Sequence, residues 1–131
     1  GNFVQTIYDK TASQPMISVV SDQIGTPTFA QDLADTLAGI IEAGMLDRTG
    51  IYHFTNEGVC SWYDFAKEIC DISGHLCDVR PCRTSDYPSK TRRPHYSVLD
   101  KTKVKETFGI GIPHWKDSLL FCIRQKEEKQ L

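Results

Sequence analysis

The sequence predicts an α/β fold: a small, mostly parallel sheet of short strands with flanking helices. Two observations predict it. Short β-branched or apolar runs alternate with longer segments whose apolar residues recur at helical spacing. The helical segments carry their own start and stop signals, with Ser, Thr or Asp before them and Gly after them. An order of strand, helix, strand, helix, strand calls for crossover connections and so for parallel neighbours. The 131 residues suffice for one domain with a modest core.

Asn2 to Lys10 reads as the end of a helix, with Phe3, Val4 and Ile7 on one face. Met16 to Val20 is a β-branched run and predicts a strand. Ser21 to Thr28 is rich in turn formers and polar side chains. Thr28 is placed to cap the next helix, with Gln31 three residues on and an apolar stripe of Phe29, Leu33, Leu37, Ile40 and Ile41. Gly44 is its expected C′ residue. Gly50 to Phe54 reads as a buried strand and Asn56-Glu57-Gly58 as the turn after it. Ser61 and Asp64 have capping-box spacing before the stripe Trp62, Phe65, Ala66, Ile69 and Cys70, and Gly74 closes that helix. Cys77 to Pro81 is the next strand.

Thr84 to Pro94 is polar and basic, with Lys90, Arg92 and Arg93, and reads as an extended active-site loop. Tyr96 to Leu99 is a short strand candidate. Asp100 is placed to cap a helix over Lys101 to Phe108, stopped by Gly109. Pro113 is placed at the first position of a last helix carrying Trp115, Leu119, Leu120, Cys122 and Ile123. The charged residues from Lys126 onward read as a frayed, solvated tail.

Composition excludes several classes of function. A net charge of −2 gives no bulk attraction to nucleic acid or to an anionic membrane. The apolar runs are too short to cross a bilayer. The five cysteines are odd in number and include no CxxC, and the four histidines form no HxxxH pair. The reading is therefore reduced thiols in a cytoplasmic protein without a metal site. No glycine-rich dinucleotide loop, GxSxG or HExxH occurs. Only Tyr63 and Lys67 have Tyr-x-x-x-Lys spacing, and they fall on a predicted amphipathic helix, where a solvent-facing pair is the plainer reading. No catalytic or cofactor-binding residue is assigned.

Two loops stand out, each with two readings. Asp22 to Thr28 is either a plain turn into a helix or a ligand loop offering Gln23 and free backbone N–H groups near Gly25 to an anion. Thr91 to Ser97 is either a solvated basic turn or a Pro-braced pair of arginines suited to a diphosphate, whose oxygens match the guanidinium fork. At these loops the sequence resembles a known family. The ordered set Asp22-Gln23-x-Gly25-x-Pro27-Thr28, Asp32-Leu33-Ala34, Gly50-Ile51-Tyr52-His53-Phe54-x-Asn56 and Arg93-Pro94-x-x-Ser97-x-Leu99-Asp100 is similar to dTDP-4-dehydrorhamnose reductases, which are extended short-chain dehydrogenase/reductases. The likeness runs from about Asn2 to Ile123.

The resemblance implies that residues 1–125 form the C-terminal, substrate-binding portion of an extended Rossmann-type reductase, with 126–131 as tail. The full enzyme would reduce dTDP-4-dehydro-L-rhamnose to dTDP-L-rhamnose with NADPH or NADH. Its own N-terminal Rossmann domain, which has no counterpart in these residues, would hold the cofactor and the proton donor. The partners implied are a dTDP-sugar and that N-terminal domain, with a homodimer left open, and the portion by itself would be inactive. Residues carried over as substrate contacts are Gln23, Gly25, Pro27, Arg93, its neighbour Arg92, Tyr96 and Ser97. Trp62 and Trp115 read as core or interface. Two alternatives remain: a non-catalytic reductase-like subunit, similar to the β subunit of methionine adenosyltransferase, and a sibling reductase or epimerase acting on another nucleotide sugar.

Overall fold

The computed structural model describes residues 2–86 and 91–128. Lys90, in the middle of the loop predicted over 84–94, lies outside the described residues, as do residues 129–131 of the predicted tail. Helix α1 (Phe3–Ser13) starts where Asn2 accepts the Gln5 N–H at 2.9 Å. Its face of Ile7 and Thr11 is buried, the Thr11 hydroxyl being spent on the Ile7 carbonyl at 2.9 Å. Strand β1 (Met16–Val20) follows, with Ile17 and Val19 turned inward. Strand β2 (Ile24–Gly25), helix α2 (Ala30–Glu42), strand β3 (Cys60–Ser61) and helix α3 (Trp62–Ile72) lead to strand β4 (Asp78–Cys82). Helices α4 (Thr102–Phe108) and α5 (Trp115–Glu128) complete the chain.

The expected α/β architecture is present. β1 and β4 pair in parallel from Met16↔Asp78 to Val20↔Cys82. Helix α3 packs on this pair through Phe65, Ala66, Ile69 and Cys70, all buried, while α5 adds Trp115, Leu119 and Ile123. Each Phe, Leu or Ile among them contributes about 1.5–3 kcal/mol of burial. The capping box at the start of α3 is complete: the Asp64 N–H reaches Ser61 Oγ at 3.0 Å, and the Ser61 N–H reaches Asp64 Oδ2 at 2.9 Å.

Several elements differ from expectation. The second sheet, β2 with β3, is antiparallel, pairing Ile24↔Ser61 and Gly25↔Cys60. Gly50–Phe54 is not a strand, and Ile51 is 82% exposed. No neighbouring backbone among the described residues supplies a ladder; instead the Ile51 carbonyl accepts from Lys103 Nζ at 2.9 Å. The stripe of α2 buries nothing, with Leu37 and Ile41 more than half exposed. Its cap is Phe29 rather than Thr28, whose place is taken by the Asn56 side chain accepting the Phe29 N–H at 2.7 Å. Tyr96 to Leu99 yields a single parallel bridge, Ile24↔Tyr96. Pro113 stands two residues ahead of α5, its carbonyl accepting the Glu57 N–H at 2.9 Å. Finally, α5 continues to Glu128, so residues 126–128 of the expected tail are helical, and the Lys126 ammonium lies 3.9 Å from the Tyr8 ring centroid.

This contrast between α3 and α2 is measurable. Ile69→Ala, at a fully buried position, is expected to cost the 131-residue chain about 2–5 kcal/mol in denaturant unfolding. Leu37→Ala is expected to stay within about 0.5 kcal/mol. Equal losses would mean that α2 is packed after all.

Candidate functional site

β1 and β4 run in parallel, so the segments leaving their C-terminal ends emerge side by side. Asp22, two residues past β1, accepts both the Thr84 N–H (2.9 Å) and the Thr84 hydroxyl (2.6 Å), two residues past β4. The hydroxyl proton given by Thr84, together with its N–H, holds the Asp22 carboxyl below the ordinary aspartate range. Because that single hydroxyl proton goes to Asp22, Thr84 Oγ1 must accept from Gln23 Nε2 at 3.0 Å. This fixes the Gln23 carboxamide and leaves its oxygen and its second N–H as the groups it can offer.

The two loops singled out in the sequence meet on strand β2. The Ile24 N–H donates to the His95 carbonyl at 2.7 Å, and the Ser97 N–H returns to the Ile24 carbonyl at 2.9 Å. The Ser97 hydroxyl adds a second bond to that carbonyl at 3.2 Å. His95 Nδ1 lies 3.0 Å from the Asp22 carbonyl, which can only accept, so Nδ1 carries the proton. Gly25 is needed for this approach: a Cβ there would stand 2.9 Å from Ser97 Oγ. On the other side of β2, the Thr26 hydroxyl donates to the Gly58 carbonyl at 2.9 Å.

These connections enclose a cavity of about 240 Å³. The first loop lines it with Gln23, Ile24, Gly25, Thr26 and Pro27, and the second with Arg93, Pro94 and Ser97. The β3–α3 junction supplies Cys60, Ser61, Trp62 and Phe65. Of the residues singled out in the sequence, Gln23, Gly25, Pro27, Arg93 and Ser97 share this cavity. Arg92 and Tyr96 do not line it; Tyr96 is 65% exposed, and Arg92 is exposed as well. Alternation along the extended loop puts Tyr96 on the side away from Ser97. Among the described residues no carboxylate pairs with Arg93.

Sequence reasoning missed the wall built by the start of α3. Trp62 is 39% exposed and faces the cavity, although its place in a helical stripe reads as core or interface. The available signal was its position directly after the capping Ser61, at the mouth of the helix. Cys60 is buried in the same wall, and burial pushes its thiol up to about 12, so it sits there as a neutral, unreactive group. A second network anchors the site from behind. Buried Asn56 donates to Asp32 Oδ2 at 2.5 Å and to Ser118 Oγ at 2.9 Å while holding the Phe29 N–H.

The residues present do not fit a nicotinamide dinucleotide. No glycine-rich phosphate loop occurs in the sequence, and Lys67 of the Tyr63–Lys67 pair is bound to Asp71 at 2.7 Å on the exposed face of α3. No redox step is therefore derived from this chain.

A parallel strand pair whose C-terminal loops meet at a cavity with polar and apolar walls defines an α/β ligand-binding domain. The chain belongs to the RmlD substrate-binding domain family, which matches residues 1–128. It is 40% identical over 125 residues to the spore coat polysaccharide biosynthesis protein SpsK of Bacillus subtilis, covering 95% of this chain and 42% of that protein. It is 39% identical over 127 residues to the dTDP-4-dehydrorhamnose reductase of Aggregatibacter actinomycetemcomitans, covering 90% of this chain and 43% of that protein. Its fold is similar to the crystal structure of a dTDP-4-dehydrorhamnose reductase from Clostridium acetobutylicum, with a TM-score of 0.89 at 38% identity over 97% of this chain and 44% of that one. It is also similar to the Bacillus anthracis reductase solved in complex with NADP, with a TM-score of 0.81 at 32% identity over 92% of this chain and 41% of that one. The chain thus spans about two-fifths of the length of these relatives.

The Asp22 contacts carry a pH signature. A carboxyl held lower in the folded than in the unfolded state contributes stability that is complete above the unfolded value, roughly pH 4, and is lost as pH falls through the folded value. Asp22→Asn is expected to be less stable than the parent near neutral pH, with the difference shrinking through the acid range. Denaturant titrations across that range test it; a gap independent of pH would refute the assignment.

Proposed function

We propose that this chain is the substrate-binding portion of a dTDP-4-dehydrorhamnose reductase, which reduces dTDP-4-dehydro-L-rhamnose to dTDP-L-rhamnose with NADPH or NADH in the cytoplasm. The observation that carries the reading is the meeting of Gln23 and Arg93 in one cavity, in a chain whose relatives bear that enzyme's name. Arg93 has the charge and planar fork for a diphosphate, and Gln23, held through Thr84 by Asp22, offers a fixed acceptor to a hydroxyl. Gly25, Pro27 and Ser97 shape the floor between them. Tyr96 and Arg92, outside the cavity, are assigned to its rim, where they act on approach rather than on the bound ligand.

In this division of labour the chain binds and orients the sugar nucleotide. The cofactor, when bound, supplies the hydride, and the groups that hold it and donate the proton belong to an N-terminal Rossmann domain. The 131-residue chain alone is therefore expected to leave NADPH absorbance unchanged with dTDP-4-dehydro-L-rhamnose, while the full-length protein consumes it. None of these observations favours the regulatory-subunit alternative, and no helix among the described residues is long and apolar enough to cross a membrane.

Binding separates the two arginines. In the full-length protein, Arg93→Ala is expected to weaken dTDP by about ten- to a hundredfold, the scale of a lost charge-assisted contact. Arg92→Ala is expected to change affinity less than about threefold. Calorimetric titration with dTDP, against UDP and GDP as competitors, measures both. Unchanged affinity in Arg93→Ala would sink the diphosphate assignment, and preference for UDP or GDP would move the reading to a sibling enzyme.

A further inference from the structure

The cavity is chemically polarised. Gln23 and Arg93, the lining side chains with charged or amide groups to offer a ligand, come from the two loops, while the Ser97 hydroxyl is spent on the Ile24 carbonyl. The α3 wall offers only the Trp62 indole N–H: Cys60 is a buried thiol, Phe65 is apolar, and the Ser61 hydroxyl is spent on Asp64 at 2.7 Å. On that wall Trp62 presents its indole to the cavity. The ring is braced from behind by Phe3 of α1, with centroids 4.7 Å apart, and Phe3 in turn stacks on Phe65 at 5.6 Å and 10° between planes. Among the described residues the indole has no cation over it and no acceptor for its N–H. The other tryptophan, Trp115, is 4% exposed and belongs to the core. A large aromatic left 39% exposed and stiffened by the Phe3 ring behind it is a costly arrangement for packing alone.

We propose that Trp62 is the platform on which the planar base of the nucleotide stacks, so that the α3 wall reads the nucleoside end while Gln23 and Arg93 hold the diphosphate. The inference rests on the sugar-nucleotide reading above. It follows from matching chemistry: a base presents an uncharged π face and needs a flat apolar partner, whereas a diphosphate needs the cationic donor that only the loops carry, Arg93. A hexose, ringed by hydroxyls, would find too few partners on a wall of Cys60, Trp62 and Phe65.

The test uses the full-length protein with three probes: dTDP, dTDP-L-rhamnose and inorganic pyrophosphate, titrated calorimetrically into the parent, Trp62→Phe and Trp62→Leu. Loss of a stacked base is worth about five- to a hundredfold in affinity. Trp62→Leu is expected to lose that much for dTDP and for dTDP-L-rhamnose alike, and to bind pyrophosphate as the parent does. Trp62→Phe is expected to keep most of the affinity, because it restores an aromatic face. Equal dTDP affinity in parent and Trp62→Leu would overturn the platform and leave the diphosphate site standing. A loss confined to dTDP-L-rhamnose would overturn it in favour of sugar stacking, and an equal loss for pyrophosphate would reduce Trp62 to a packing role. A parent protein that binds no dTDP would sink the sugar-nucleotide reading itself, and the platform with it.

Discussion

Everything at the site depends on a two-residue strand. Ile24 exchanges backbone hydrogen bonds with His95 and Ser97 on one side, and β2 pairs with β3 on the other. A strand this short has no stability of its own. It persists because Asp22 and Thr84 fix the chain just before it, and the Phe29 N–H is held by buried Asn56 just after it. Three sequence-distant segments, around residues 24, 61 and 96, are thereby forced into one layer. Removing that layer would leave Arg93 on a solvated turn, as the plainer reading of its sequence has it.

The buried polar groups behind the layer obey the same logic. Asn56 is 1% exposed, and its carboxamide is satisfied by a backbone N–H and a carboxylate from the start of α2 and by a hydroxyl from α5. Its neighbour Glu57 holds Lys101 at 3.1 Å and Lys105 at 2.8 Å. Lys101 is itself buried, and its ammonium also donates to the Asn56 carbonyl at 3.0 Å. A buried ammonium without Glu57 would be an uncompensated charge. The turn at 56–58 is therefore rigid for electrostatic reasons, and rigidity there keeps the Gly58 carbonyl in place for Thr26.

Local signals in the sequence were read well where the cause is local. The Ser61–Asp64 box, the left-handed glycines at 44 and 109, and the inward alternation of Ile17 and Val19 all follow from a few neighbouring residues. The likeness in motif order also brought Gln23 and Arg93 together, which spacing alone could not do. What was illegible depends on distant partners. Whether the apolar stripe of α2 is buried, or Gly50–Phe54 becomes a strand, is decided by what lies alongside. Trp62 was hidden for the same reason. A helical stripe gives the face a residue occupies, but not that the first turn of α3 overhangs a cavity.

Strand direction is the final link between fold and site. Had β1 and β4 paired antiparallel, Asp22 and Thr84 would leave at opposite ends of the sheet, and no carboxylate could reach both. Parallel pairing from Met16↔Asp78 to Val20↔Cys82 brings the two exits together. The hydrogen-bonded line from Gln23 through Thr84 to Asp22 is the direct result. Ligand sites in open α/β sheets gather beyond the carboxyl ends of the strands for this reason. Only there do separate connections, free of the ladder, emerge close enough to share one bound molecule. In this chain the β1 exit carries the glutamine loop, and the β4 exit leads toward the arginine loop. The cavity is thus set by the polarity of five residue pairs before any side chain lines it.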